Sequence, residues 1–222
     1  MKTRPPVSEE QERLDIGLIF TVSDRAADIG KIEALLDSGA DIHTQTDYAF
    51  RQAARNGNLE MIKLLLDRGA DINAQDGYAL CWAACNRHPV IVAHLLDKGA
   101  DIHAQKGGAL EGASHNGHLD VARLLLDRGA DVNMGKNSAL IKAVANGHQD
   151  VAMLLLENGA DLEVGIWAAK DAKNSRMLDL LNRIKLSREE RLLLSAEAPA
   201  PVRSAGGAGS LPPPHRLRSG RR

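Results

Sequence analysis

Aromatic side chains are scarce in this 222-residue chain, two each of Phe, Tyr and Trp, or 3 % of the whole. A core of this size usually draws on more. This one must be built from Leu, Ile, Val and Ala, the mix expected where many short helices pack closely. Long apolar runs are missing as well. Ile16 to Val22 and Leu64 to Leu66 fall far short of the roughly 20 residues a membrane-spanning helix needs, so no membrane contact is expected. Cysteine is limited to Cys81 and Cys85, one turn apart if their segment is helical. Two side chains stacked on one helix face rarely meet disulfide geometry, which makes a reducing cytoplasm the simplest location. The N-terminus opens with Lys2 and Arg4, but Glu9, Glu10 and Glu12 follow in place of an apolar stretch, and no secretory signal is expected. Net charge is lacking too. The 28 basic and 29 acidic residues leave a formal −1, an ordinary balance for one large domain or two small ones.

What the chain has instead is a period. Gly-Ala-Asp recurs at Gly39, Gly69, Gly99, Gly129 and Gly159, each 30 residues after the last. Ala49, Ala79, Ala109 and Ala139 keep the same phase. So do Ala53, Ala83, Ala113 and Ala143, then Asn56, Asn86, Asn116 and Asn146, and Leu65, Leu95, Leu125 and Leu155. Agreement across so many columns marks a repeat array. Within one unit, Leu110, Ala113 and Ser114 at i, i+3, i+4 form the small-residue face of a short helix. Asn116-Gly117 ends it, because glycine enters the left-handed region cheaply. A second helix is predicted from about Leu119 to Asp127, with Val121, Ala122, Leu125 and Leu126 as its buried stripe. Gly129 ends that helix, and Asp131-Val132-Asn133 starts an extended turn towards the next unit. Such a unit cannot bury its apolar face alone; stacked neighbours bury it jointly.

The stretches Gly57-Asn58-Leu59-Glu60, Gly117-His118-Leu119-Asp120-Val121 and Leu64 to Asn73 resemble the ankyrin repeat, usually about 33 residues with Thr-Pro-Leu-His opening its first helix. Here Tyr48-Ala49, Tyr78-Ala79, Gly108-Ala109 and Ser138-Ala139 replace the Thr-Pro pair. The protruding turn is also shorter, as in the variant with a 30-residue unit found in giant-virus and some microbial ankyrin proteins. Without Pro the first helices lose a preset φ, and only Ser138 offers a good cap. The resemblance implies an all-α solenoid of stacked helix-turn-helix units with short protruding turns. It also implies a monomeric, non-catalytic scaffold holding a partner protein, in the cytoplasm, or a host's cytoplasm if the chain is viral or a secreted effector. Asn73 and Asn133, eight residues after Leu65 and Leu125, resemble the site that asparagine hydroxylases modify in animal ankyrin proteins.

Residues 1–10 read as a flexible lead, and the repeat domain is expected over 11–194 as about six helix pairs, with capping units at 11–40 and 161–186. The first cap keeps the period but carries Arg25-Ala26-Ala27-Asp28 in place of the Asn-Gly turn. In the last, Ala169, Met177 and Leu181 align with Ala143, Val151 and Leu155 at a shift of 26, so its loop loses four residues. A short extra helix is expected around Ser187 to Leu194. Residues 195–222 hold five of the eight prolines and five arginines (Arg203, Arg216, Arg218, Arg221, Arg222) against Glu197, the composition of a disordered basic Pro/Gly-rich tail. That tail carries +4 and leaves −5 for the rest. A tether to nucleic acid or another acidic surface through the tail is the alternative function. The repeat domain, net acidic and poor in aromatics, is not itself expected to bind nucleic acid.

Catalytic signatures do not assemble. Gly135-Lys136 is followed by Asn137 where a phosphate-binding loop needs Ser or Thr for Mg²⁺. No Ser-His-acid set, HExxH pair or dinucleotide fingerprint is found. His88, His118 and His148 share one column beside the inter-helix turn, where a histidine is expected to bond neighbouring turn backbone. His43 and His103 alternate with Asn73 and Asn133 in the protruding turn, which wants a polar, turn-tolerant side chain. The sharpest constellation is Cys81 and Cys85 with Glu111 and His115 at the same two positions of the next unit. Adjacent first helices about 10 Å apart allow a shared metal if these side chains converge; the competing reading makes the cysteines small half-buried residues. No catalytic residue, cofactor or metal is assigned.

In the ankyrin architecture, first helices and turns line a concave groove while second helices form the convex back. Core columns in this chain hold one residue type, whereas neighbouring columns vary: Arg51 and Arg55, Cys81 and Cys85, Glu111 and His115, Ile141 and Ala145, beside Gln52, Trp82, Gly112 and Lys142. Internal units share the same packing demands, so the variation points to a partner. The candidate partner-binding residues are Arg51, Arg55, Tyr78, Trp82, Cys85, Glu111, His115 and Lys142. Trp82 is the expected anchor, a large rigid aromatic beside Arg and Tyr; the alternative is that it packs between first helices. On the back, Glu60, Lys63 and Asp67, like Asp120, Arg123 and Asp127, read as a solvated face with modest i,i+3 and i,i+4 support.

Overall fold

The computed structural model describes residues 8–23 and 28–197. The expected tail beyond residues 195–197, which lie in the last helix, most of the lead segment and the Arg25–Ala27 part of the first turn lie outside them. Twelve α-helices and no strand occur among the described residues. They are α1 (Glu9–Ser23), α2 (Ile29–Asp37), α3 (Tyr48–Asn56), α4 (Leu59–Asp67), α5 (Ala74–Cys85), α6 (Pro89–Asp97), α7 (Ala104–His115), α8 (Leu119–Asp127), α9 (Met134–Ala145), α10 (Gln149–Glu157), α11 (Leu162–Asp171) and α12 (Ser175–Glu197). The odd-numbered first helices α1 to α11 pack on one another in series, as do the second helices α4, α6, α8 and α10. This is the all-α repeat solenoid that the period implied.

The chain divides into two compact units, Met1–Lys185 and Leu186–Arg222, and the packing described here belongs to the first. The separate helix expected near Ser187 is instead a continuation of α12. No glycine or proline interrupts residues 175–194, so nothing in that stretch stops the helix. A second difference lies at the start. In α1, buried Leu18 and Val22 stand 32 residues before Phe50 and Ala54, whereas in α2 buried Ile32 stands 30 before Ile62. Only the second helix of the first unit keeps the period.

The invariant columns form the core. Leu65, Leu95, Leu125 and Leu155 are 0 % exposed, each side chain contributing about 1.5–3 kcal/mol by burial. Ala53, Ala83, Ala113 and Ala143 lie buried where first helices meet, and their small size permits that close approach.

The protruding turns depart from expectation. In place of an extended turn and a capped helix start, the chain makes a single left-handed turn. Gln45–Asp47, Gln75–Gly77, Gln105–Gly107 and Gly135–Asn137 all have φ between 47° and 82°. Gly77 N–H donates to Asn73 O at 3.0 Å across it, and Gly107 and Asn137 repeat this bond to His103 O and Asn133 O at 3.1 Å. No side-chain cap serves α3, α5, α7 or α9, so Ser138 does not act as one. Left-handed backbone costs most L-residues about 1–2 kcal/mol, with Gly, Asn and Asp the tolerant types. Those types occupy the third turn position, as Asp47, Gly77, Gly107 and Asn137. The last unit omits the turn, which accounts for its four missing residues: Asp161 caps α11 directly, accepting from Glu163 N–H at 2.8 Å.

These turns also join the units. The backbone N–H groups of Asp41, Asp71, Asp101, Asp131 and Asp161 donate to side chains of the preceding unit, namely Asp15, Asp47, Asn73, His103 and Asn137, at 2.7–3.2 Å. An acceptor at the third turn position, Asp47 or Asn137, takes the bond itself. Where that position is Gly77 or Gly107, the residue four earlier, Asn73 or His103, takes it instead.

Candidate functional site

The first helices place the candidate residues on one surface. In α5, Tyr78 and Trp82 stand one turn apart, ring centroids 6.4 Å from each other and tilted by 33°. From α3, the Arg55 guanidinium lies 5.0 Å from the Trp82 ring centroid, and Arg51 lies between Tyr48 at 5.7 Å and Tyr78 at 6.0 Å. Cation–π contacts at exposed sites are worth about 0.5–1 kcal/mol. Trp82 thus does pack against a neighbouring unit, through Arg55, and it also borders the opening described next. Arg51 has a further duty: its Nε and Nη2 donate to Thr46 O at 3.1 Å and Gln45 O at 2.9 Å, tying down the left-handed turn.

Beside Trp82 the surface opens into a depression of about 340 Å³, bordered by six of the eight candidates: Tyr78, Trp82, Cys85, Glu111, His115 and Lys142. Of its floor, the sequence reading named Cys81, Cys85 and Gly112 as groove positions but not Gly108. The floor consists of Gly108 and Gly112 on α7, with the thiols of Cys81 and Cys85. A Cβ on Gly108 would lie 3.0 Å from Cys81 Sγ, and one on Gly112 would collide with Cys85 Sγ. The corresponding residues are Tyr78 and Trp82 in the unit before, and Ser138 and Lys142 in the unit after. Bare backbone between bulky neighbours makes the hollow. The signal was present in the sequence as two glycines four apart inside a helix, each costing about 0.5–1 kcal/mol relative to alanine.

The thiols are chemically quiet. Burial, aided by the nearby Cys85, Asp76 and Glu111, pushes the Cys81 thiol up to about 12. Cys85 is raised by burial and then by Glu111. Both are protonated at neutral pH, and neither is the activated thiolate of a nucleophile. Among the described residues, no three His, Cys, Asp or Glu side chains are placed to hold a metal.

The histidine column is structural. His88, His118 and His148 donate from Nε2 to Arg55 O, Cys85 O and His115 O of the preceding unit at 2.9–3.0 Å. His103 uses the same nitrogen as an acceptor for Asp131 N–H, so the two columns hold opposite tautomers. Asn116 and Asn146 donate back to Gly112 O at 3.0 Å and Lys142 O at 2.8 Å, closing the ends of α7 and α9. Asn73 and Asn133 are exposed in the turns, with Asn73 Oδ1 occupied by Asp101 N–H at 2.9 Å.

No helix among the described residues is long and apolar enough to cross a membrane. A family model described as ankyrin repeats, in three copies, matches residues 23–106 and 108–165. No curated protein matches the chain.

Proposed function

The chain belongs to the ankyrin-repeat family, and from that premise we propose that it is a monomeric, non-catalytic scaffold that binds a partner protein through its first-helix face. Ankyrin repeats are generally protein-interaction modules rather than enzymes. In the family's architecture this face is the concave one. The observation that supports the reading is the convergence on one surface of side chains that vary from unit to unit. Two arginines stack on Tyr78 and Trp82, and those rings border a hollow floored by glycine. Such an aromatic, flanked by cations and beside a cleft, has the character of an interface hot spot. The reading includes a cytoplasmic location, with which two free cysteines are compatible.

The test is capture of a partner by affinity pull-down, followed by titration calorimetry of two variants. Trp82→Ala should weaken the partner by about 2 kcal/mol or more. Lys63→Ala, on second helix α4, should change affinity little. Equal losses, or a loss confined to Lys63→Ala, would place the binding surface on the other side.

A further inference from the structure

The first helices meet in a fixed register. Two residues of α3, four apart, face two residues of α5, also four apart: the Arg51 guanidinium lies 6.0 Å from the Tyr78 ring centroid, and that of Arg55 lies 5.0 Å from Trp82. One unit on, Cys81 and Cys85 of α5 meet Gly108 and Gly112 of α7 in the same way. Each contact joins residues 27 apart in the chain. A first helix within the row thus presents one pair of side chains forward and receives another pair from behind.

At the two ends of the row, half of this contact is missing. On α1, which leads α3 by 32 residues, the receiving pair is Ile16 and Phe20, 44 % and 74 % exposed. On α11, which follows α9 by 26 residues, the presenting pair is Trp167, 57 % exposed, and the exposed Asp171. The other large apolar side chains exposed among the described residues are Tyr78, Val90 and Leu186. Tyr78 lies against Arg51, Val90 is a single residue on second helix α6, and Leu186 belongs to the second compact unit. A repeat array normally closes its ends with polar residues. Here the first and last helices of the row instead carry the two halves of one apolar contact.

We propose that the open face of α1 receives α11 of a second copy, with Trp167 over Ile16 and Phe20, so that chains join head to tail. The contact continues between copies the interface already built within each. Because the two surfaces differ, it does not close on itself, and copies add one after another. Charge does not select the partner: Glu12 and Arg13 precede Ile16, and Asp171 comes into register with Phe20, where a carboxylate gains nothing from a ring face. Three side chains fall far short of the roughly 1,200 Å² that a stable pair buries. The contact is therefore weak, and the dilute chain remains the monomer of the reading above. The inference does not rest on that reading, since none of these residues lines the hollow.

The full chain is followed by sedimentation equilibrium from about 5 µM to about 1 mM, the range of weak association. Average mass should rise steadily above 23.9 kDa without levelling at a dimer. Phe20→Glu and Trp167→Ala should each hold the chain at monomer mass, while Val90→Glu should leave association unchanged. Each of the first two variants keeps the end that the other has lost, so their equimolar mixture should form a pair that stops at two. Asp171→Arg recreates over Phe20 the arrangement of Arg55 over Trp82 and should tighten association about two- to fivefold. Circular dichroism of each variant checks that the fold is intact. A monomer mass at the highest concentration would overturn the proposal. So would association of Trp167→Ala like the wild type, which a contact between two α1 faces would give, a mixture that stays monomeric, or equal loss from Val90→Glu. Weaker association of Asp171→Arg would refute the register.

Discussion

Asp47 performs two duties that substitution can separate. Its buried carboxylate accepts from Asp71 N–H at 2.8 Å and meets His43 Nδ1 at 3.1 Å, while its backbone sits at φ 54°. A hydrogen bond to a charged group contributes about 1.5–3 kcal/mol, and left-handed backbone costs alanine about 1–2 kcal/mol. Asp47→Ala should therefore destabilise by about 2.5–5 kcal/mol. Asp47→Gly removes the same acceptor but relieves the backbone, and it recreates the arrangement at Gly107, where His103 Nε2 accepts from Asp131 N–H at 3.2 Å. His43 is the counterpart of His103 one unit pair earlier. Released from Asp47, it should turn to the Asp71 amide and hold the net cost to about 1 kcal/mol or less. The sharper reading is the coupling. His43→Ala should cost about 0.5–1 kcal/mol in the wild type, where the Asp71 amide keeps Asp47 as its acceptor, but about 1–2 kcal/mol in the Asp47→Gly background. Urea unfolding followed by circular dichroism gives the energies, and hydrogen exchange at the Asp71 amide reports the local bond. Equal cost of His43→Ala in both backgrounds would refute the exchange of acceptors. Equal damage from Asp47→Gly and Asp47→Ala would refute the backbone term.

Leu125→Ala, at a position 0 % exposed, should lose about 2–5 kcal/mol in denaturant titration by opening a cavity shared between units. Ser114 is also 0 % exposed and its Oγ has no hydrogen-bond partner, in a column otherwise Ala54, Ala84 and Val144. Ser114→Ala should raise stability by about 1 kcal/mol on the same assay. Cys81 gives a pH prediction: its thiol rises from an ordinary 9.0 to about 12 on folding, so between those values the folded state holds the proton that the unfolded state has released. Stability should be unaffected by this group below pH 9 and fall between pH 9 and about 12. Thermal melts of wild type against Cys81→Ala should diverge in that window and run parallel below it.

Fold and site were legible to different depths for a physical reason. Packing repeats every unit, so columns such as Leu65 and Ala53 show themselves as invariance, and the helices follow; α8 lies at Leu119–Asp127, where the apolar stripe placed it. The turns hid their conformation because left-handed backbone leaves only a trace in composition. Asp, Gly, Gly and Asn at 47, 77, 107 and 137 look like four unrelated residues until φ is known. The acceptor exchange between that position and the one four earlier is a rule spread over two columns, which a column-by-column reading cannot see. At the site, variation identified the rim, the exposed Tyr78 and His115 with the half-buried Trp82, Glu111 and Lys142. It passed over Gly108 and gave Gly112 no role of its own, because the two glycines act through what they leave out.

That floor carries the last prediction. Gly108 and Gly112 weaken α7 by about 0.5–1 kcal/mol each relative to alanine, although Ala109 and Ala113 beside them show that the helix accepts alanine. The reason lies in the unit before, where Cys81 Sγ and Cys85 Sγ occupy the volume that the two Cβ atoms would need. Glycine and cysteine are thus a matched pair, and changing one alone mismatches them. Gly112→Ala should destabilise by about 1–3 kcal/mol, the range for overpacking. In the Cys85→Ala background the sulfur is gone, and Cys85 Cβ at 3.6 Å is an ordinary contact. There the same substitution should stabilise by up to about 1 kcal/mol through helix propensity, a reversal of sign that a double-mutant cycle in urea would register. The doubly substituted protein is then the decisive reagent for function. Its core is sound, yet its hollow has lost its thiol and gained a methyl group on the floor. If it binds a captured partner about tenfold more weakly despite its stability, the glycines serve recognition. If affinity is unchanged, the pair exists only to pack α5 against α7, and the hollow is a by-product of that packing.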